Sequence, residues 1–345
     1  MYDVYGLGNA LVDMEYRVDE GFLNRHGIAK GHMTLVDEDR LTALINELHE
    51  YQPERMSGGS AANTIIAVQG FGGKTFYSCR VTDDEVGQYF LSDLGAAGVV
   101  TNGNAGRSPQ PGRSGRCLVL VTPDAERSMN TFLGISTQLG TGEIDEQALC
   151  RSSYFYSEGY LSSTPGSMAA AIACREIAES AGVKTAISLS DPSMVEFFRD
   201  NLAQILGNGV DHLFCNEEEA LAWARTDRLD LAVAELKDIG RAVNITLGKN
   251  GSLAVTRGAQ KLVPGLEVPA VDTNGAGDMY AGACLHGWCA GMEPEQAAAF
   301  GNFAAARLVQ TYGARLRQLD DYRATLGAFR AQSAAARTSG QPSAI

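Results

Sequence analysis

Residues 272–278 read Asp-Thr-Asn-Gly-Ala-Gly-Asp (DTNGAGD) and run straight into the small, apolar stretch Met279, Tyr280, Ala281, Gly282 and Ala283. Gly275, Ala276 and Gly277 carry almost no side chain, so their amides can approach an anion closely. The helix expected to begin near Gly277 adds unpaired N–H groups and the positive end of its dipole. Asp278 then falls in the first helical turn, where it can accept a proton from an attacking hydroxyl while the amides hold charge growing on a phosphoryl group. An acidic cap on a glycine turn would give the same letters, so the rest of the chain has to decide.

The bulk properties narrow the field. The chain has 345 residues, 45% of them hydrophobic, which is enough for one large α/β domain with a smaller attachment. A net charge of -13 argues against a general nucleic-acid or anionic-membrane surface, because such surfaces need clustered Lys and Arg. An anionic ligand must therefore be held by a local device. Seven cysteines (Cys79, Cys117, Cys150, Cys174, Cys215, Cys284, Cys289) form no C-x-x-C pair, and they read as buried free thiols rather than disulfides or a zinc site. Met1 to Gly8 lacks the features of a signal peptide and no apolar run is long enough for a membrane helix, so a cytoplasmic protein is expected.

Along the chain, YDVYGLG reads as a buried strand and MEYRV (14–18) as a half-exposed one. Leu41, Leu44, Ile45 and Leu48 recur at helical spacing after Asp37. TFYSC, RCLVLVT, RSMNTF, YFYSEG, TAISLS, HLFCN, VNITLG and SLAVT are strand candidates, many separated by helical stretches at 84–97, 166–181, 194–206 and 217–224. That alternation predicts a mainly parallel sheet covered by helices. Residues 13–36 and 107–133 break the rhythm. The second holds the loop RSPQPGRSG and two strands joined at Pro123-Asp124-Ala125, and the two regions together are expected to form a small β-sheet lid inserted into a domain of residues 1–330. The tail from 331 to 345 has no apolar period and is expected to be disordered.

Two other glycine motifs fail on inspection. GLGNAL (6–11) has Leu11 where a dinucleotide fingerprint needs its third glycine, and GGKT (72–75) has Val68 where a P-loop needs its first. Three segments remain. In SGGSAAN (57–63), the paired glycines Gly58 and Gly59 permit backbone contact with a ligand and Asn63 offers donor and acceptor. GNALVD (8–13) delivers Asn9 and Asp13 from a strand end, and a carboxylate can accept two hydrogen bonds from a vicinal diol. In CNEEEA (215–220), Asn216 and Glu219 can hold a magnesium ion through its waters, although acidic residues also suit a plain helix start.

Taken together these motifs resemble the ribokinase-like (PfkB) family of carbohydrate and nucleoside kinases over residues 1 to about 330. GGSAAN is similar to its first signature, DTNGAGDMYAGA to its second, CNEEEA to its Asn-x-x-Glu element and TLGKNG (246–251) to the segment that touches ATP. The resemblance implies a doubly wound, mainly parallel α/β sheet flanked by helices with a small β lid. Within the family, GNALVDMEYRVDEGFLNRHGIAKG, ERSMNTFLG and LSDPSMVEFFRDNLAQILGNGVDHLFCNEEEA are more similar to the adenosine kinases. On that basis Asp13 is expected to hold a ribose diol with Gly59 and Asn63 beside it, Tyr160 to stack on a base, Phe132 to close from the lid and Arg127 to contact the transferring phosphate.

The same resemblance implies ATP contacts at Asn216, Thr246, Gly248, Gly251 and Asn302, Mg2+ carried with ATP, and in some relatives a monovalent cation near Asp272. The reaction expected is direct in-line transfer to the 5′-hydroxyl of a nucleoside with Asp278 as general base. Another nucleoside or a sugar as acceptor, a nucleoside-binding protein without turnover, and either a monomer or a homodimer all stay open. The five histidines show no metal spacing, and Trp223 and Trp288 read as core or interface.

Overall fold

The computed structural model describes residues 1–103, 112–124 and 126–338. Its strands are β1 (Tyr2–Leu7), β2 (Leu11–Arg17), β3 (Met33–Leu35), β4 (Glu54–Gly58), β5 (Thr75–Ser78), β6 (Val100–Thr101) and β7 (Gly115–Val121), followed by β8 (Arg127–Phe132), β9 (Ser152–Glu158), β10 (Lys184–Ser188), β11 (Val210–Asn216), β12 (Gly240–Thr246), β13 (Ser252–Thr256) and β14 (Gln260–Val263). Nine of them form one sheet in the order β14-β13-β12-β11-β10-β9-β1-β5-β6, parallel except for the antiparallel edge made by β13 and β14. Every strand candidate read from the sequence is a strand, and the four helical stretches between them are helices. The architecture is the ribokinase-like α/β fold.

Side chains alternate across β1, so Val4 enters the apolar core on one face while Tyr5 and Leu7 enter the core on the other. A sheet buried on both faces in this way is what a nearly continuous apolar strand dictates. The strand order reverses at β1: β5 and β6 build outward on one side, β9 to β12 on the other. The C-terminal ends of β1 and β9 therefore lie side by side, with Leu7 paired to Ser157, at the crevice where ligands of open α/β sheets bind.

The second sheet has five strands in the order β3-β8-β7-β2-β4. It contains both rhythm-breaking regions, and also β4, which the sequence reading left outside it. Ala125 in the expected hairpin turn and most of the loop RSPQPGRSG lie outside the described residues. The tail expectation is corrected in part, because the final helix runs Leu319–Thr338 and so takes in residues 331–338; 339–345 lie outside the described residues. Among the described residues no disulfide forms; Cys79, Cys117, Cys174, Cys215 and Cys284 are buried, Cys289 is half-buried and Cys150 is exposed. No helix there is long and apolar enough to cross a membrane.

Candidate active site

Two helices start at the crevice. The first, Ser60–Gly70, follows Gly59, whose positive φ of 97° and whose position 2.5 Å (as a Cβ) from the Asn9 carbonyl oxygen exclude any side chain. The second, Ala276–Cys289, follows Gly275 at φ 71°, where a Cβ would lie 2.0 Å from the Ala314 carbonyl oxygen. The helices pack against one another with almost nothing between them: a Cβ on Gly282 would meet the Ala67 Cβ at 2.6 Å. This close approach is the structural use of the small-residue run after Asp278.

The approach brings the two helix starts together. Ser60 Oγ donates to Asp278 Oδ1 at 2.6 Å and Asn63 Nδ2 donates to Asp278 Oδ2 at 3.1 Å. Burial raises the Asp278 carboxyl to about 7, against the two hydrogen bonds and with the negative charges of Glu158 and Asp13 adding to it. Ser60 lies in the same motif three residues before Asn63 and on the same helix face, which is the one local signal for its part in holding Asp278. Of the loop amides, Ala276 N–H is taken by the Thr273 carbonyl at 3.2 Å, while Gly277 and Asp278 are first-turn donors without an intrahelical acceptor. Gly277 faces open space.

Asp13 lies on β2 of the small sheet, its carboxylate leaning so closely over Gly58 that a Cβ there would be 2.5 Å from Oδ2. Burial raises it to about 7, opposed by the positive charges of Arg315 and Arg127. Arg127 extends from β8, but it is not free: its guanidinium lies 3.0 Å from Glu15 and 3.1 Å from Asp272, the first residue of the opening motif. The Asp272 carboxylate also accepts from the amides of Asn274 (3.0 Å) and Gly313 (2.7 Å). The small sheet is thus ionically tied to the loop that leads into the Gly275 turn, a connection that nothing local in the sequence announces. Arg315, a second guanidinium beside Asp13, is ion-paired with Asp93 and was not foreseen either.

Tyr160 sits in a short 3-10 turn after β9. Burial raises its phenol well above the ordinary value, and the carboxylates of Asp191, Asp278, Glu158 and Glu219 add to this, which places it at the site. Phe132 ends β8 with the Arg116 guanidinium 5.9 Å from its ring centre. Neither ring stacks on another aromatic side chain among the described residues.

On the other side, Asn216 and Glu219 cap their helix reciprocally: Asn216 Oδ1 accepts from the Glu219 amide at 2.7 Å, and Glu219 accepts from the Asn216 amide at 3.1 Å and its side chain at 2.7 Å. Glu219 is 4% exposed, faces no Lys or Arg among the described residues, and is raised to about 7 by burial. A buried carboxylate without a cation, its remaining lone pairs turned to no protein donor, suits a hydrated divalent ion held through water. No group of three or more His, Cys, Asp or Glu that could cage a metal directly exists among the described residues. Gly251 (φ 97°) is demanded by its turn, since a Cβ would lie 2.1 Å from the Val263 carbonyl, whereas Gly248 (φ 56°) faces open space; Thr246 ends β12. Asn302, expected at the ATP site, donates to the backbone carbonyls of Val263 (3.0 Å) and Pro264 (3.2 Å) and so ties down the loop that follows β14.

A carboxylate poised beside unpaired helix-start amides, at the switch point of a doubly wound sheet with a second small sheet above it, defines a phosphotransferase of the ribokinase-like class. The chain belongs to the pfkB family of carbohydrate kinases, whose profile matches residues 34–321. It is 26% identical over 340 residues to adenosine kinase 1 of Arabidopsis thaliana, covering 92% of this chain and 96% of that one. It is 30% identical over 277 residues to an ATP-dependent ribose-1-phosphate kinase of Halopiger xanaduensis, covering 80% and 88%. Its fold superposes on the crystal structure of adenosine kinase from Sinorhizobium meliloti with a TM-score of 0.85 and 34% identity, covering 96% of this chain and 99% of that one.

Proposed function

We propose that the protein is an ATP-dependent nucleoside kinase that phosphorylates the 5′-hydroxyl of adenosine. The observation that carries the reading is Asp278, held by Ser60 and Asn63 at the meeting of two helix starts with its carboxyl raised to about 7. A base of that pKa is ionised in a large fraction of molecules at neutral pH yet still basic enough to take a hydroxyl proton. The similarity to adenosine kinases supports the choice of acceptor.

In this mechanism Asp13 accepts hydrogen bonds from the ribose 2′- and 3′-hydroxyls, and Tyr160 and Phe132 flank the base. The 5′-oxygen attacks the γ-phosphorus of ATP in line. Its proton passes to Asp278, and the bond from the γ-phosphorus to the β,γ-bridging oxygen breaks to release ADP. The amides of Gly277 and Asp278, with Gly275 setting the turn, stabilise the transferring group. Arg127 reaches the phosphate by exchanging one of its two carboxylate partners. Magnesium, when bound with ATP, neutralises phosphate charge, and Glu219 with Asn216 is the pair that would hold it through water.

A second reading, an acceptor carrying its own phosphate, is favoured by one observation: Arg55, Arg127, Arg315 and Arg317 line the cavity at Asp13. The Halopiger relative is named for ribose 1-phosphate, such an acceptor. It ranks second because each guanidinium already faces a carboxylate: Glu85, Glu15 with Asp272, Asp93 and Glu54 respectively. Magnesium-dependent ADP release measured on adenosine, inosine, guanosine, cytidine, ribose, fructose 6-phosphate and ribose 1-phosphate decides. Strong preference for adenosine supports the first reading, turnover on ribose 1-phosphate alone replaces it with the second, and silence on every acceptor refutes both.

A further inference from the structure

The mechanism above leaves one buried carboxylate at the crevice without a task. Glu158 ends β9 and is 1% exposed. Its Oε1 accepts from the Asn9 amide at 2.8 Å and its Oε2 from the Ala61 amide at 2.6 Å. The Asn9 side chain is hydrogen-bonded to it as well. No Lys or Arg pairs with it among the described residues. The packing is close on the remaining side, since a Cβ on Gly8 would lie 3.0 Å from the Glu158 carboxyl carbon and 2.6 Å from the Tyr77 hydroxyl oxygen.

A buried carboxylate without a cation is expensive, and a neutral side chain of similar size would fill the space at lower cost. What the carboxylate supplies that a neutral group cannot is two acceptors at once for two fixed backbone donors. Those donors belong to separate segments. The Asn9 amide lies in the link between β1 and β2, four residues before Asp13; the Ala61 amide lies in the helix start that carries Ser60 and Asn63. One segment presents the group assigned to the acceptor's diol, and the other orients the base.

We propose that Glu158 is a positioning residue for the acceptor: by bridging the Asn9 and Ala61 amides it fixes the distance from the diol-binding Asp13 to the proton-accepting Asp278. The inference rests on the kinase reading above. It has a chemical consequence, because protonating Glu158 turns one oxygen into an O–H donor facing an N–H donor and so releases one of the two segments. Burial raises its carboxyl to about 7, opposed by the bonds from Asn9 and Ala61, so the release falls near neutral pH. The titratable groups around it are Tyr77, Tyr156, Tyr160 and Asp278. The phenols are pushed upward by burial and stay neutral, so Asp278 is the neighbour that titrates with it, and Asp13, which acts on Asp278, titrates in the same range.

The test is a split of the kinetic constants in full-length protein. Glu158→Gln keeps the shape and loses one acceptor; Glu158→Asp keeps the charge and shortens the reach. KM for adenosine, KM for ATP and kcat are measured from pH 5.5 to 8.5. Glu158→Gln is expected to raise the adenosine KM roughly 10- to 100-fold, the effect of leaving a buried donor unpaired, with ATP KM unchanged and kcat reduced much less than in Asp278→Asn. In the wild type the adenosine KM rises as pH falls below about 7 through both Glu158 and the diol-binding Asp13, and in Glu158→Gln the rise is shallower because only the Asp13 part remains. An unchanged adenosine KM that keeps its full acid rise overturns the proposal, as does a kcat loss equal to that of Asp278→Asn with KM unaltered. If the Glu158 variants do not fold, calorimetric adenosine binding to the wild type and to Asp13→Asn decides: an acid weakening that persists in Asp13→Asn supports the bridge, and one that vanishes with Asp13 overturns it. A wild type that turns over no acceptor fails the kinase reading itself; an active wild type with an indifferent Glu158→Gln fails this inference alone.

Discussion

Gly282 is the position where packing and chemistry are most directly joined, and Gly282→Ala tests the connection. The added Cβ would lie 2.6 Å from the Ala67 Cβ and 2.8 Å from the Thr64 carbonyl oxygen. Ordinary contact begins at 3.4 Å, so the shortfall against Ala67 is 0.8 Å, and the Thr64 backbone cannot rotate away. The two helices must part by about that distance. Asp278 precedes Gly282 by one helical turn on the same face, and Asn63 adjoins Thr64, so the parting is felt at the 3.1 Å bond between Asn63 and Asp278 and carries it beyond hydrogen-bonding reach. Overpacking of this kind costs about 1–3 kcal/mol, or roughly 1–4 °C in thermal midpoint for a chain of this length. A base displaced by nearly 1 Å loses up to about 10²-fold in rate. Thermal unfolding of the ligand-free protein and kcat from ADP release with saturating adenosine and MgATP are the assays. Gly277→Ala, where the Cβ meets nothing within 4 Å, is the control and leaves the midpoint unchanged. A Gly282→Ala protein with wild-type midpoint and wild-type kcat refutes the reasoning; a lowered midpoint with unchanged kcat keeps the packing argument and breaks its link to Asp278.

Asp278→Asn lowers kcat about 10²- to 10⁴-fold with adenosine affinity little changed, and the acid limb of kcat near pH 7 disappears; a variant with near-normal turnover removes Asp278 from the role of base. Arg127→Met leaves the largely buried carboxylates of Glu15 and Asp272 without their cation and lowers stability by about 3 kcal/mol, measured by denaturant unfolding, whereas an unchanged midpoint would mean that the ionic tie contributes nothing. Glu219 has a folded-state pKa raised from 4.5 to about 7, so its stabilising contribution is fully present below pH 4.5 and lost as pH rises through 7. Glu219→Gln therefore raises stability of the ligand-free protein at pH 8 by up to about 3 kcal/mol and flattens its decline between pH 5 and 8, while raising KM for MgATP; a slope identical to the wild type overturns the assignment of that decline to Glu219.

What the sequence alone determined lies in features set by near neighbours. The apolar strands and the helices between them follow from periodicity, and the glycine turn before Asp278 from the need for a bare backbone at a helix start. The Asn216–Glu219 pair sits three residues apart, so its capping geometry was within reach of spacing alone. The seven cysteines read as free thiols for the same local reasons, and they are free. Strand β4 was missed because ERMSG has neither apolar alternation nor length; it pairs with β2 only because the small sheet offers an edge there.

The tertiary structure decided everything that depends on two distant segments meeting. Arg127 finds Asp272, Asn302 turns to the Val263 carbonyl, and Glu158 bridges amides 149 and 97 residues away. A carboxylate closing the apolar strand YFYSE was a visible oddity, but its partners are backbone groups, which no side-chain pattern identifies. Whether a buried charge is a cost or a tool depends on which donors the fold brings to it, and that is settled by packing at a distance rather than by the order of residues.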